Sequence, residues 1–248
     1  MADNPFFKEY AEGYAKSKSH ASGSDLFRLV SIVKKNSNLC LDIATGTGFT
    51  AAELSKRCRK VVAIDETENM IRKAVELMNQ LKIKNVEFIK SNLENFETAD
   101  KYDVITIRRA LHHFQNKDLF FKKCHTLLKD DGVLIIADMI SPEEDTEDNF
   151  NKLERIRDPT HVGALKLSEY YEFAEKYGYS IRYEDTVIED LGFEEWLYPV
   201  PLSSDTGKNC LEFISQLSDD QLANMHYDRN KMVLSKHRVI IALSKKGI

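Results

Sequence analysis

Cysteine is scarce in this chain of 248 residues, which contains four: Cys40, Cys58, Cys124 and Cys210. They are widely separated and form no Cys-x-x-Cys pair, so their pattern favours neither a zinc site nor a disulfide framework. Cys40 lies in an apolar run and is most simply interpreted as a small core residue. A chain of this length can bury a core large enough to need neither a metal nor a disulfide for stability.

Long hydrophobic runs and a basic excess are also absent. The apolar runs are too short to span a bilayer, and no basic segment followed by an apolar one opens the chain, so no signal peptide is expected. The formal net charge is −5. No basic stripe interleaved with aromatic residues is visible, which argues against a nucleic-acid partner. We therefore expect a cytoplasmic, reduced protein.

Short apolar runs alternate with helical periodicity in the first 140 or so residues. The runs lie at 39–44, 61–65, 86–89, 102–107 and 132–138, and two more strands are predicted at 180–184 and 239–243. Strands alternating with helices indicate βαβ units and a parallel sheet. We predict one α/β domain over residues 1–248, with a doubly wound, seven-stranded, mostly parallel sheet and an antiparallel last strand.

Three further segments complete the predicted organisation. Residues 1–24 are interpreted as an N-terminal lid, and residues 185–236, approximately, as a helical cap inserted before the last strand. Asp25 is predicted to be the N-cap of the first helix of the sheet domain. The acidic run at 143–148 is predicted to be solvated surface.

A glycine-rich turn follows the first predicted strand, with Asp42, Ala44, Gly46 and Gly48 in the pattern Asp-x-Ala-x-Gly-x-Gly. Glycine allows a tight turn and the close approach of a ligand to the backbone. The next helix begins here, and its free N–H groups attract an anionic ligand. Asp65 closes the second strand, where a carboxylate can accept both ribose hydroxyls of an adenosine.

The glycines alone leave two other interpretations open. The stretch 46–51 also fits the dinucleotide fingerprint of a nicotinamide-dependent dehydrogenase, and an ordinary turn can bind nothing. Tyr227 and Lys231 match the Tyr-x-x-x-Lys pair of such enzymes. With ten tyrosines in the chain, one match of this kind is expected by chance, so it carries little weight.

The residues around the turn resemble a known family. Asp-x-Ala-x-Gly-x-Gly resembles the first motif of class I S-adenosylmethionine-dependent methyltransferases. The spelling of residues 41–48 is close to that of the ubiquinone- and menaquinone-biosynthesis methyltransferases, with Ala44 where the wider family has glycine. The resemblance extends over about residues 10–183. It implies a Rossmann-like class I methyltransferase fold, S-adenosylmethionine as cofactor and S-adenosylhomocysteine as product.

The resemblance also implies roles for individual residues. Asp65 would bind the ribose, Glu66 or Met70 would lie beside the adenine, and Asn92 would lie near the adenine amino group. The segments 108–114 and 157–161 would line the pocket, together with an N-terminal piece. The implied donor-binding residues are Asp42, Ala44, Gly46, Gly48, Asp65, Glu66, Met70, Asn92, Leu93, Arg108, His20 and Tyr14.

Methyl transfer from a sulfonium is an in-line displacement, so most of the rate can come from positioning. A general base is needed only when the acceptor must lose a proton. His113 and His161 are the predicted catalytic residues, with His112 as a weaker candidate. Each of the three is alternatively a core or loop histidine. Of Arg108 and Arg109, we expect one to bind the donor's carboxylate or an acidic substrate and the other to form a salt bridge.

The sequence therefore predicts an S-adenosylmethionine-dependent methyltransferase acting on a small, quinone-like or aromatic metabolite. Carbon, oxygen and nitrogen acceptors stay open. The aromatic segment 193–198 either lines the acceptor pocket or packs in the core. A non-catalytic protein that binds the donor or its product and an NAD(P)-dependent oxidoreductase are the alternative functions. The sequence predicts no metal site and leaves the oligomeric state undetermined.

Overall fold

Residues 23–247 are described by the computed structural model, and their strands form one sheet. The strands are β1 (Ser37–Ile43), β2 (Cys58–Asp65), β3 (Val86–Lys90), β4 (Tyr102–Arg108), β5 (Leu128–Met139), β6 (Tyr179–Gly192), β7 (Tyr227–Asp228) and β8 (Val233–Lys245). Their order in the sheet is β3-β2-β1-β4-β5-β8-β6, and β7 pairs with β8 at the side. The neighbours among β1 to β5 run parallel, and β8 runs antiparallel to both β5 and β6.

Helices follow most of the parallel strands and cover the sheet. They are α1 (Ser24–Ile32), α2 (Phe49–Leu54), α3 (Glu68–Leu81), α4 (Lys117–Leu127), α5 (Asn149–Arg157), α6 (Leu167–Lys176), α7 (Phe193–Leu197), α8 (Asp205–Gln216) and α9 (Asp219–Asn224). A 3₁₀ turn occupies Leu111–His113. None of the helices within this part of the chain combines the length and the apolar content needed to cross a lipid bilayer.

The sheet has a hydrophobic core on each face. Leu41 and Ile43 of β1 pack in one core with the aromatic side chains of α4, whereas Cys40 packs in the other core with α1 and α2. This alternation arises because successive side chains of a strand point to opposite faces. A parallel sheet covered on both faces needs apolar residues at nearly every position, which explains the continuous apolar runs.

The doubly wound, mostly parallel fold predicted from the sequence is confirmed, but two details differ. The short strand β7 makes eight strands instead of seven, and a two-residue strand leaves no periodic pattern to detect. Strand β6 continues to Gly192 because it pairs with β8 along its whole length. The helical cap therefore begins at Phe193, not near residue 185. The predicted lid at 1–24 lies almost entirely outside the described residues.

Two predictions are wrong: Asp25 is not the N-cap of the first helix, and the cysteines are not all reduced. The helix α1 begins at Ser24 with Gly23 as its N-cap, so Asp25 lies in the first turn and is fully buried. Cys40 and Cys58 form a disulfide between β1 and β2, while Cys124 and Cys210 are free and buried. The two cysteines lie on neighbouring strands, with Cα atoms 6.4 Å apart, although the register places Val61 opposite Cys40 and Ser37 opposite Cys58. Spacing along the sequence cannot reveal that pairing.

The acidic run before α5 is only in part a solvated surface. Glu143, Glu144 and Glu147 are exposed as predicted. Asp145 is buried, and its carboxylate accepts hydrogen bonds from the backbone N–H groups of Asn149 (3.0 Å) and Phe150 (2.7 Å). It therefore satisfies the first N–H groups of α5.

Candidate functional site

A cavity of about 1530 Å³ lies at the carboxyl ends of β1, β2, β4 and β5. Ligands of open α/β sheets bind at this edge, because the strand order reverses there. The amino-terminal half of β8 reaches the same edge because β8 runs antiparallel. The sequence-predicted residues that line the cavity are Asp42, Ala44, Gly46, Asp65, Glu66, Met70, Asn92, Leu93, Arg108, His113 and His161. Tyr14 and His20 lie outside the described residues.

The glycine-rich turn has a left-handed backbone at three positions. Ala44 has φ of +52°, and Gly46 and Gly48 have φ of +56° and +87°. A Cβ atom at Gly46 would have no heavy atom within 4 Å, so this backbone borders open space. A Cβ atom at Gly48 would lie 2.9 Å from the Cβ of Ala74. Gly48 is absent from the cavity lining, and it allows α2 to pack closely on α3.

Asp42 is buried beneath the turn. Its two carboxylate oxygens accept hydrogen bonds from the hydroxyl groups of Thr45 (2.6 Å) and Thr106 (2.7 Å). Burial raises the pKa of Asp42 to about 6, although both hydroxyl bonds favour its ionised form. The negative charge of Asp42 therefore depends on pH close to neutrality.

Asp65 fixes the turn against the end of β2. One carboxylate oxygen accepts the N–H of Gly46 (2.8 Å) and the other accepts the N–H of Thr67 (2.9 Å). A carboxylate has about four acceptor positions, so two remain. Burial raises the pKa of Asp65 above its ordinary value. The arrangement suits a carboxylate that accepts two hydroxyl groups of a ribose.

The residues predicted for the adenine lie beyond Asp65, at the ends of β2 and β3. Met70 and Leu93 are buried, with 6% and 2% of their surface exposed, and present apolar surface to the cavity. Glu66 is exposed at the rim. The Oδ1 atom of Asn92 accepts the N–H of Asn95 at 2.9 Å. This end of the cavity therefore combines apolar walls with polar groups, as a purine requires.

Arg108 and Arg109 both bind the buried carboxylate of Asp25. Each guanidinium donates two hydrogen bonds to it, over 2.7–2.9 Å for Arg108 and 2.8–2.9 Å for Arg109. Burial by itself would raise the pKa of Asp25, but the two cations hold it well below its usual range. The sequence interpretation gave a salt bridge to only one of the arginines. It missed Asp25, whose signal was a carboxylate among the apolar residues of α1.

His112 is held by the carboxylate of Asp138. The Nδ1 atom of the ring lies 2.7 Å from Oδ1, and the backbone N–H of His112 donates to Oδ2 at 3.0 Å. Burial alone would raise the pKa of Asp138, but His112 and the N–H of Met139 help to lower it to about 2. An ionised Asp138 can only accept, so Nδ1 of His112 carries a proton and its Nε2 is the other nitrogen of the ring.

His113 and His161 lie beside His112, with ring centroids 4.0 Å and 5.3 Å from its own. The Nδ1 atom of His113 bonds Thr160, and the Nε2 atom of His161 lies 2.7 Å from Oδ1 of Asn151. Burial, with the neighbouring His112, lowers the pKa of His113 to about 4 and that of His161 to about 2. Both rings are therefore uncharged at neutral pH.

The aromatic segment of the cap divides between core and cavity. Phe193 and Leu197 pack in the core of the cap, whereas Trp196 and Tyr198 also line the cavity. Several other polar residues in or beside the cavity were not predicted from the sequence, among them Asp138, Asn151, Lys236 and Arg238. For Lys236 and Arg238 the available signal was two cations at alternate positions of a strand.

Comparison with known proteins identifies the family to which this chain belongs. A family model described as a methyltransferase domain matches residues 34–179, which is more than half of the chain and contains the turn, Asp65 and the three histidines. The chain belongs to this methyltransferase family. S-adenosylmethionine is its methyl donor, in agreement with the resemblance noted in the sequence.

Individual relatives agree with this assignment. The chain is 28% identical over 233 residues to the uncharacterized methyltransferase YcgJ of Bacillus subtilis, covering 89% of this chain and 88% of that protein. It is 30% identical to the ubiquinone/menaquinone biosynthesis C-methyltransferase UbiE of Escherichia coli over 174 residues, or 62% of this chain and 65% of UbiE. These relatives favour neither the oxidoreductase nor the non-catalytic alternative.

A solved structure extends the match to nearly the whole fold. A protein of Bacillus halodurans assigned as a methyltransferase superposes with a TM-score of 0.82 at 27% identity, covering 91% of this chain and all of that one. The class I methyltransferase fold therefore includes strands β6 and β8, which lie beyond the region of the family model.

Proposed function

We propose that this methyltransferase transfers the methyl group to a small molecule bound in the cavity next to the donor. The cavity itself carries this proposal. Pockets for drug-sized ligands occupy roughly 300–1,000 Å³, and the volume of about 1530 Å³ formed by residues 23–247 exceeds that range. It extends from the glycine-rich turn past the end of β4 to the histidines. Donor and acceptor can therefore be bound together.

The proposed donor site lies at the ends of β1 to β3. Asp65 would bind the ribose hydroxyls with its two remaining acceptor positions, and Met70, Leu93 and Asn92 would surround the adenine. The turn would hold the methionine part, with the negative charge of Asp42 beneath the cationic groups of the donor. Arg108 lines this region and is the candidate for the donor's carboxylate.

The proposed acceptor site faces the three histidines, His112, His113 and His161. A donor sulfonium already activates its methyl group, so the protein must chiefly hold the acceptor atom in line with the methyl carbon. Where that atom is protonated, a base must remove the proton. His113 and His161 present uncharged rings that can position an acceptor by hydrogen bonding.

His112 is the best placed of the three to accept a proton. Its Nδ1 is fixed as a donor to Asp138, and no residue within 23–247 bonds its Nε2. On accepting a proton His112 becomes a cation, and the adjacent carboxylate of Asp138 would stabilise that charge. The same division of roles between an aspartate and a histidine operates in other enzymes that use an oriented imidazole as base.

An acceptor screen tests the proposed function. The purified protein is incubated with methyl-labelled S-adenosylmethionine and phenolic, quinol, amine and acid compounds, with RNA and protein as separate arms. Aromatic ring compounds come first because UbiE, a relative, is named for quinone biosynthesis. We expect labelled product and S-adenosylhomocysteine with a small molecule. Transfer to RNA or protein alone, or donor binding without transfer to anything, would contradict the proposal.

The role of His112 is tested with the acceptor so found. His112→Gln should lower kcat by roughly 10²–10³-fold, in the range of lost general-base catalysis, and leave the Kd for S-adenosylhomocysteine unchanged. His125→Gln is the matched control, because His125 lies on α4 outside the cavity and contacts Tyr179. An unchanged kcat in the His112 variant would show that methyl transfer needs no base at this position.

A further inference from the structure

Strand β8 places two buried cations at the edge of the cavity. Lys236 and Arg238 have 3% and 6% of their surface exposed, and both line the cavity. They alternate with Ser235 and His237 and share the face of β8 on which Ile240 packs in the core. An apolar residue would be expected at each position, since burial of an unpaired cation is strongly unfavourable.

Residues 23–247 supply too few acceptors for the N–H groups of these two residues. Arg238 donates through Nε to Glu189 at 3.0 Å, and no acceptor within residues 23–247 is bonded to its Nη atoms. The Nζ atom of Lys236 contacts Glu154 at 2.6 Å, which satisfies one of its three N–H groups. Among residues 23–247, the guanidinium end of Arg238 and two N–H groups of Lys236 therefore have no bonded acceptor, and both side chains border the cavity.

The nearby carboxylates are already shared with other donors. Glu154 also accepts hydrogen bonds from Arg157 at 3.0 Å and from the indole N–H of Trp196 at 2.9 Å. Glu189 also lies 3.5 Å from Nη2 of Arg109. Since each carboxylate serves several donors, neither can fully neutralise the cations of β8.

The cavity is divided electrostatically. Its donor end contains the carboxylates of Asp42 and Asp65, whereas the corner formed by β6, β8 and α5 contains Lys236, Arg238 and Arg157. Asp158, another acid near this corner, accepts the N–H and the hydroxyl of Thr160. Glu194 and Glu195 of α7 also line the cavity, but they are exposed to solvent. Burial lowers the pKa of Lys236 to about 8, so the Lys236 side chain is charged in most copies of the protein at neutral pH.

We propose that Lys236 and Arg238 bind an anionic group, a carboxylate or a phosphate, on the methyl acceptor. The proposal rests on the proposed function, because it names the chemical class of the acceptor. A guanidinium and an ammonium at alternate positions on one face of a strand can hold two oxygens of such a group. A neutral quinol would leave their N–H groups unsatisfied.

Binding of model anions to the complex with S-adenosylhomocysteine tests the proposal. Benzoate, phenyl phosphate and the neutral benzamide are titrated by calorimetry, and the fluorescence of Trp196 locates the site. Trp196 is the single tryptophan of the chain, it bonds Glu154, and the guanidinium of Arg157 lies 5.4 Å from its ring. We expect saturable binding of benzoate or phenyl phosphate, but not of benzamide. The two anions distinguish a carboxylate site from a phosphate site.

Variants connect the binding to β8. Arg238→Gln should weaken anion binding at least about tenfold, the effect of losing charge-assisted bonds. Arg182→Gln is the matched control and should leave anion binding unchanged. Arg182 likewise donates through Nε to a residue of the neighbouring strand, Ser244, but it is exposed on β6. Lys236→Met provides a second variant if Arg238→Gln does not fold, as judged by circular dichroism.

The proposal would be overturned by no saturable binding of either anion, by equal affinity for benzamide, or by unchanged affinity in both variants. A loss of S-adenosylhomocysteine affinity in Arg238→Gln with an intact anion response would instead assign these cations to the donor's carboxylate, which also overturns it. The proposed function fails separately, if the screen finds methyl transfer to RNA or protein alone. The two failures are therefore distinguishable.

Discussion

Replacement of Asp65 by asparagine tests the donor site at a single group. The native carboxylate accepts the N–H groups of Gly46 and Thr67 and has two acceptor positions left. Asparagine keeps the size of the side chain, but only its oxygen accepts, and its NH₂ group must face one of the two backbone N–H groups. The variant therefore loses acceptors and places a donor against a donor.

The expected loss in affinity follows from these contacts. A hydrogen bond to a charged group contributes roughly 1.5–3 kcal/mol. We expect each ribose hydroxyl to keep part of this binding energy with the amide of the asparagine side chain. A net loss of about 2–3 kcal/mol corresponds to an affinity for S-adenosylhomocysteine that is about 30- to 150-fold weaker. The burial that raises the pKa of Asp65 also makes the loss larger than at an exposed site.

Calorimetry measures this loss, and Asp103→Asn is the matched control. Asp103 likewise lies on a strand and accepts a backbone N–H, that of Leu39 at 2.7 Å, but it does not line the cavity. A double-mutant cycle with the 2′-deoxy analogue of S-adenosylhomocysteine assigns the bond, since the two losses should overlap by at least about 1 kcal/mol. Additive losses, or unchanged affinity in Asp65→Asn, would refute the assignment of the ribose to Asp65.

Two further predictions concern the turn. Since burial raises the pKa of Asp42 to about 6, the unliganded protein gains a proton there as the pH falls from 7 to 5. The affinity for S-adenosylhomocysteine, whose amino group is cationic, should then fall by up to about tenfold per pH unit; an equal fall in Asp42→Asn would contradict this. Ala44 has φ of +52°, a conformation that costs an L-residue roughly 1–2 kcal/mol. Glycine in its place avoids this cost, but the greater conformational entropy of glycine in the unfolded state offsets part of the gain. Ala44→Gly should therefore raise the free energy of unfolding by about 0.5–1 kcal/mol in urea denaturation, and a lower value would show that the turn is unstrained.

The sequence by itself determined the order of strands and helices along the chain and the position of the glycine-rich turn. Both are local properties: a strand buried on two faces must be apolar throughout, and a left-handed turn needs residues such as Gly46. Asp65 was predicted for the same reason, because it closes a strand whose end is visible in the pattern. The family follows from these same segments.

The tertiary structure decided which polar groups meet. Asp25 and Arg108 are 83 residues apart, and His112 and Asp138 are 26 apart. Their pairing depends on the order of the strands within the sheet, which hydrophobic periodicity does not specify. The pairing of β1 with β2 as neighbours likewise brings Cys40 within reach of Cys58. The basic corner at Lys236 exists because β8 runs antiparallel and brings its first residues, not its last, to the ligand-binding edge of the sheet.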